Sequence, residues 1–193
     1  MTEKEEAAAG LLYDANYDPE ILQERARAKD LCLDYNLTRS SQTEERLRLL
    51  RTLLAVCHDD IVIVPPFYVD LGYNIRTGQG FYANHNLVIL DEAPVTFGDH
   101  VFIGPNCCFS TAGHPMDVAQ RNAGLEYAKP ITVGNNVWIG MGVQVLPGVT
   151  IGDNAVIGAG SVVTKDIPAG MLAVGAPCRP IRQIAEKPRR VIL

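Results

Sequence analysis

From Ile61 onward, apolar residues leave helical spacing and settle on a grid of six. Phe97, Ile103, Phe109, Val133, Ile139, Val145, Ile151, Ile157 and Val163 lie six residues apart or at multiples of six, usually with glycine next, as at Gly98, Gly104, Gly134, Gly140, Gly152 and Gly158. Two residues before them stand Val95, Val101, Cys107, Ile131, Val137, Val143, Val149, Ala155 and Ser161. Each hexad thus turns two side chains, two apart, to one side, as a short strand does. The glycine is expected to permit the tight corner that follows. "VTFGDHVFIGPN" (95–106) and "VTIGDNAVIGAG" (149–160) spell the phrase twice. Repetition at this period marks a β-helix, in which each coil contacts only its neighbours.

Cys107 and Ile131 are 24 residues apart, four times six, so the grid resumes in phase after an interruption. The text between, "STAGHPMDVAQRNAGLEYAKP", reads as an inserted loop over 110–130, and an insertion in a solenoid is a usual seat of function. A tolerated surface excursion is the plain alternative. Upstream, Ile75, Phe81, Leu87 and Ala93 are also six apart but shifted by two from the later grid.

The first 58 residues read as helix. Asp18-Pro19 suits an N-cap followed by proline at the first helical position, and Ile21, Arg25, Ala28, Cys32 and Tyr35 keep helical spacing, so a helix is expected from about Pro19 to Tyr35. Ser41-Gln-Thr-Glu44 resembles a capping box, and Leu47, Leu50, Leu54 and Cys57 form an apolar stripe behind it. The expected division is a helical region over 1–58 and a β-helix domain over 59–193 that ends in a C-terminal tail.

Charge narrows the function. A net charge of -5 over 193 residues argues against a general nucleic-acid binder, and an anionic ligand would need a local basic patch. The start "MTEKEEAAAG" is charged, and no apolar run approaches the roughly 20 residues of a membrane helix, so a cytoplasmic protein without a membrane partner is expected. The 5 cysteines show no CxxC spacing and read as small buried hydrophobes. Asn36-Leu37-Thr38 fits a glycosylation acceptor but is discounted for want of an export signal.

Beyond the hexads, "GYNIRTGQGFYANHN" (72–86), "TAGHP" (111–115), "KPITVGNNVWIG" (129–140) and "GAPCRPIR" (175–182) resemble the maltose and galactoside O-acetyltransferases among the hexapeptide-repeat acyltransferases. The resemblance covers nearly the whole chain. It implies a mainly β fold: a left-handed parallel β-helix, triangular in section, with three hexads per coil and an N-terminal helical hairpin. Periodicity does not show the hand, and the usual crossover preference would argue for the other. The resemblance further implies a homotrimer with active sites between subunits, and acetyl transfer from acetyl-CoA directly to a hydroxyl of a maltose-, glucose- or galactoside-type sugar.

Such a transfer needs a base near the hydroxyl and donors for the developing oxyanion. His114 in "TAGHP" is the candidate base, and Asn84 in "FYANHN" resembles the family's asparagine beside the reacting hydroxyl. Asp70, Asp91 and Glu92 fall where the family's polar groups meet the acceptor. Glu126 matches an acidic position that could orient His114 or bind substrate, and Tyr82 and Tyr127 could stack on a sugar face. For coenzyme A the resemblance points to Met141, Ala159, Thr164, Lys165, Arg179 and Arg182. Trp138, outward on the grid, needs a ligand or a neighbouring subunit. Lys187, Arg189 and Arg190 read as a charged tail.

His58, His85 and His100 read as surface or turn residues, and no His-x4-His pair suggests a metal. "GAGSVV" at Gly158 is explained by the grid rather than by a dinucleotide fold. The rival readings are acetylation of another acceptor, such as an antibiotic, an amino sugar or serine, and a non-catalytic trimeric scaffold.

Overall fold

The computed structural model describes residues 1–185; Lys187, Arg189 and Arg190 lie outside the described residues. The chain from Val56 winds a parallel β-solenoid of about 6 coils with three faces. The first face stacks Ile75–Arg76, Val95–Phe97, Ile131–Val133 and Thr150–Ile151. The second stacks Val62–Ile63, Tyr82–Ala83, Phe102–Ile103, Trp138–Ile139, Val156–Ile157 and Met171–Val174, then adds Arg179–Gln183 antiparallel. The third stacks Phe67–Val69, Leu87–Leu90, Cys108–Ser110, Gln144–Val145 and Val162–Val163.

Both members of each hexad point inward, and the grid residues from Val95 to Val163 are buried to 2% exposure or less. Register explains the two irregularities of the grid. Val156 sits on Trp138, a step of 18 residues or three hexads, whereas Tyr82 sits on Val62 and Phe102 on Tyr82, steps of 20. The early coils carry two extra residues each, which shifts their grid by two. Trp138 in turn sits on Phe102, a step of 36. The insertion therefore adds one coil's length without winding a coil, and the grid resumes in phase.

The hexad glycines sit at corners that a bulkier residue would resist, as expected, and for want of room rather than for a left-handed backbone. Gly98, Gly104, Gly134, Gly140, Gly152 and Gly158 are absent from the positive-φ positions. What they lack room for is a Cβ: at Gly140 it would stand 2.6 Å from the Ala159 backbone nitrogen, and at Gly104 2.7 Å from that of Met141. The left-handed corners fall instead to other positions, among them Asn106, Asn136 and Asn154, at φ 60°, 56° and 59°, His100 at 55°, and Gly142 and Gly160 at 70°. Side chains stitch one corner: Asn135 Oδ1 accepts from Asp99 N at 2.8 Å, and Asp153 Oδ1 from Asn135 N at 2.7 Å.

Three helices precede the solenoid: α1 (Glu3–Ala8), α2 (Pro19–Leu37) and α3 (Thr43–Leu53). Asp18 caps α2 by accepting from Ile21 N at 2.9 Å. The expected capping box at Ser41–Glu44 is not formed; α3 starts from Gln42 without a side-chain cap bond. A capping box occurs instead at Thr2 and Glu5 on α1, in a stretch read only as charged. α2 covers the open edge of the first coil. Asn36 Nδ2 donates to the Phe67 carbonyl at 3.0 Å and its Oδ1 accepts from Phe67 N at 2.8 Å, pairing backbone that would otherwise end the sheet.

If close approach rather than dihedral freedom demands the hexad glycines, Gly140→Ala lowers stability by at least about 2 kcal/mol, while Gly160→Ala, at φ +70° in open space, costs about 1 kcal/mol. Urea unfolding of both variants gives the comparison, and equal midpoints would refute the explanation.

Candidate active site

The insertion leaves the edge between the third and first faces. Ala112–Gly113 runs out, a short helix α4 (Val118–Asn122) turns it, and Leu125–Ala128 returns antiparallel. Tyr13–Asp14, ahead of α2, pairs with the other side of the returning strand, with Tyr13 opposite Glu126. The N-terminal segment is thus stitched to the loop that carries His114. His114 Nδ1 lies 3.2 Å from the Leu125 carbonyl oxygen, so Nδ1 bears the hydrogen and donates. Nε2 faces Glu126 Oε1 at 3.8 Å, on a side chain that is 50% exposed.

His114 opens onto a cavity of about 340 Å³ whose walls include Asp70, Glu92, Ser110 and Glu126, with Arg25 and Lys29 entering from α2. Arg25 organises the acids. Its Nη2 donates to Glu92 Oε1 at 3.1 Å and lies 3.8 Å from Glu126 Oε2, while Nη1 donates to the Ala15 carbonyl at 2.8 Å. Glu126 is buried; its Oε1 accepts from Asn16 Nδ2 at 3.1 Å, and its Oε2 has no hydrogen-bond partner among the described residues. Glu92 is held far above the ordinary carboxylate range, chiefly by burial and then by the Asp70 carboxyl facing it; the Arg25 guanidinium opposes the shift without cancelling it. Glu92 therefore holds a proton more tightly than an ordinary carboxylate does.

Not every expected acceptor residue faces this cavity. Asp91 is fully buried, and its carboxyl holds the 70–74 turn: Oδ1 accepts from Asp70 N at 3.2 Å and Leu71 N at 2.9 Å, Oδ2 from Asn74 N at 3.3 Å. Burial pushes its pKa up to about 6. It positions Asp70 rather than meeting a ligand. Tyr127 alternates with Glu126 along the strand and points the other way, against Gly113 and beneath Lys129 Nζ, 5.7 Å from its ring centre.

The remaining expected residues divide between two edges of the solenoid. Asn84 follows Tyr82–Ala83 at the edge between the second and third faces, and its Oδ1 accepts from His85 N at 2.8 Å. Met141 and Ala159 stack on that edge in later coils, and Arg179 pairs with Val174 at its end. Tyr82, with its ring 6.3 Å from that of Phe102, and Trp138, 58% exposed, lie on the adjoining second face. Thr164 and Lys165 follow Val162–Val163 on the other edge, the one that carries His114. The third face separates the two sets, with the corner Asn84–Asn86 at one end of its strand Leu87–Leu90 and the insertion leaving from the opposite end of the same face. One chain therefore does not bring Asn84 to His114.

Arg25, Lys29, Tyr13 and Asn16 were not anticipated from sequence. For Arg25 the signal was present: a cation inside the helical stripe of Ile21, Ala28, Cys32 and Tyr35, all of which are buried, needs a buried partner.

Comparison with known proteins agrees with the architecture. The family model for the maltose acetyltransferase hexapeptide capping motif matches residues 7–57, and that for the bacterial transferase hexapeptide (six repeats) matches 130–165. A Saccharomyces cerevisiae protein named an acetyltransferase is 54% identical over 183 residues, 95% of this chain and 93% of its own. The crystal structure of a maltose O-acetyltransferase from Clostridium difficile 630 superposes with a TM-score of 0.93 at 46% identity, over 96% of this chain and 99% of that one. A galactoside acetyltransferase in complex with coenzyme A superposes with a TM-score of 0.89 at 45% identity, over 96% of this chain and 92% of that one. The solenoid matches the left-handed β-helix of these neighbours. Among the described residues no group of His, Cys, Asp and Glu could hold a metal ion, and no helix is long and apolar enough to cross a membrane.

The raised Glu92 pKa sets a pH dependence. A group whose folded pKa lies above its unfolded value contributes stability that is complete below the unfolded pKa and is lost as pH rises through the folded one. Glu92→Gln mimics the protonated form and has no proton to lose. Its melting temperature is expected to gain on that of the wild type as pH goes from 5 to 9; parallel melting curves across that range would contradict the assignment.

Proposed function

The chain belongs to the maltose and galactoside O-acetyltransferase family of hexapeptide-repeat acetyltransferases, and we propose that it moves acetyl from acetyl-CoA directly to a sugar hydroxyl with His114 as general base. The observation that carries this reading is the His114 imidazole itself. Nδ1 is committed to the Leu125 carbonyl, so Nε2 is left as the basic nitrogen at a cavity lined with carboxyls and an arginine. That lining suits hydroxyls, which donate to carboxylates and accept from guanidinium. About 340 Å³ is at the small end of ligand pockets and in keeping with one sugar ring.

Acetyl-CoA supplies the acyl group as an activated thioester. Nε2 of His114 takes the acceptor's proton as its oxygen attacks, and passes it to the departing sulfur. The Asn84 amide donates to the carbonyl oxygen while negative charge gathers there. The outward residues fit the coenzyme: Trp138 and Met141 are 58% and 55% exposed, offering apolar surface to pantetheine. Lys165, Arg179 and Arg182 are exposed, and among the described residues none is ion-paired, so their charge is available to phosphates.

Because His114 and Asn84 stand on different edges, the complete site takes the His114 edge of one protomer and the Asn84 edge of the next. A cyclic trimer supplies three such junctions. The second face supports it, presenting Val62, Phe102 and Trp138 at 46%, 51% and 58% exposure in one aligned row.

With acetyl-CoA and a panel of glucosides, maltose and galactosides, His114→Ala is expected to lower kcat/KM by roughly 10²–10⁴-fold, read by thiol release; equal release would remove His114 as the base. A protein that binds no coenzyme A by calorimetry would instead be a scaffold. Co-expressing His114→Ala with Asn84→Ala chains tests the shared site. Random assortment into trimers restores roughly a quarter of wild-type activity, whereas a site within one chain stays dead.

A further inference from the structure

Glu126 is approached from two sides. In the three-stranded sheet of the insertion, the returning strand Leu125–Ala128 lies in the middle, with Tyr13–Asp14 along one side and Ala112–Gly113 along the other. Asn16 comes just after the first of these outer strands and His114 just after the second. Both reach the same oxygen. Asn16 Nδ2 donates to Glu126 Oε1 at 3.1 Å, whereas His114 Nε2 lies 3.8 Å from it, beyond hydrogen-bond range.

Asn16 is itself fixed. The same Nδ2 donates to the Gly124 carbonyl at 2.8 Å, and the Asn16 backbone N–H donates to Asp14 Oδ1 at 3.1 Å. Because the tether comes from the side away from His114, moving Oε1 towards Nε2 lengthens the Asn16 bond. Without it, a carboxylate in hydrogen-bond contact would stabilise imidazolium, which cannot act as a base. Other charged and titratable groups surround the ring. Arg25 and Lys29 from α2 and Asp70 and Glu92 from the solenoid line the cavity onto which it opens, and Tyr13 stands opposite Glu126. On α4, Asp117 caps the helix at Gln120 N and Arg121 donates to the Pro115 and Met116 carbonyls. Among the described residues, Glu126 alone has a carboxyl oxygen within 4.0 Å of a His114 nitrogen.

We infer that Asn16 is a positioning residue: it withholds the Glu126 carboxyl from His114, so that Nε2 stays open to take the acceptor's proton. The carboxylate remains near enough to favour the imidazolium that forms as the proton arrives. The catalytic meaning of this tether rests on the reading of His114 as general base; the tether itself does not. A merely structural part, bracing the loop through Gly124, would lower activity without moving the titration of the ring.

Asn16→Ala removes the tether, and Asn16→Leu removes it at nearly constant shape. In either full-length variant the midpoint of the His114 titration, followed by NMR of the ring protons, is expected to rise by about one pH unit. The acidic limb of kcat/KM, measured with acetyl-CoA and the fastest acceptor of the sugar panel, rises with it. Adding Glu126→Gln cancels the rise. An unmoved NMR midpoint in the single variants, or a rise that survives Glu126→Gln, overturns the role of Asn16. If neither single variant folds, Glu126→Gln alone decides. With Oε1 tethered by Asn16, loss of the charge lowers the midpoint by less than about half a unit; a larger drop means that the carboxylate already holds the ring, and it overturns the inference. The NMR titration needs no turnover. A midpoint that rises while the acidic limb stays in place leaves the tether standing and removes His114 as the base, so the two failures are distinct.

Discussion

Coils stacked within backbone hydrogen-bonding distance leave no volume for a side chain where one corner lies on the next. Gly140 N–H reaches the Ile157 carbonyl at 2.8 Å, and Gly104 N–H the Ile139 carbonyl at the same distance. Repeated along the solenoid, that contact makes glycine obligatory at fixed intervals, puts both apolar residues of each hexad inside, and lines up successive corners into straight edges.

The helices are more than a cover for the first coil. By pairing Tyr13–Asp14 with the returning strand of the insertion, the N-terminal segment fixes a loop that the solenoid alone would hold only at its two ends. It also delivers Arg25, with a side chain only 13% exposed, between Glu92 and Glu126. Burial and the facing Asp70 carboxyl raise the pKa of Glu92 by more than Arg25 opposes, which favours its protonated form. A neutral acid beside an arginine offers both a donor and acceptors, which is the mixture a polyhydroxylated molecule needs.

A solenoid built on three edges invites a site shared between protomers. His114 and Lys165 stand along one edge, and Asn84, Met141, Ala159 and Arg179 along another. The expected catalytic pair and the expected coenzyme contacts are divided in the same way. In the proposed trimer, rotating copies about a common axis would place unlike edges side by side, and each junction would gain both sets without any change within the chain.

The amino-acid sequence by itself determined the solenoid, because a six-residue repeat of apolar pairs and glycine is satisfied by few other chain geometries. It also marked the insertion, since an 18-residue excess keeps phase yet breaks the pattern, and it singled out His114 through the text around it. Burial and mutual placement were beyond its reach. Asp91 and Glu92 are neighbours in the chain, but only packing turns one under a turn and leaves the other against Arg25 at a cavity wall. Likewise the reason for the glycines, close approach and not dihedral freedom, emerges only when residues 18 positions apart are seen in contact. Periodicity records what each residue does locally; which groups lose water and which distant charges they then face is decided by tertiary contact alone, and that sets the chemistry of the site.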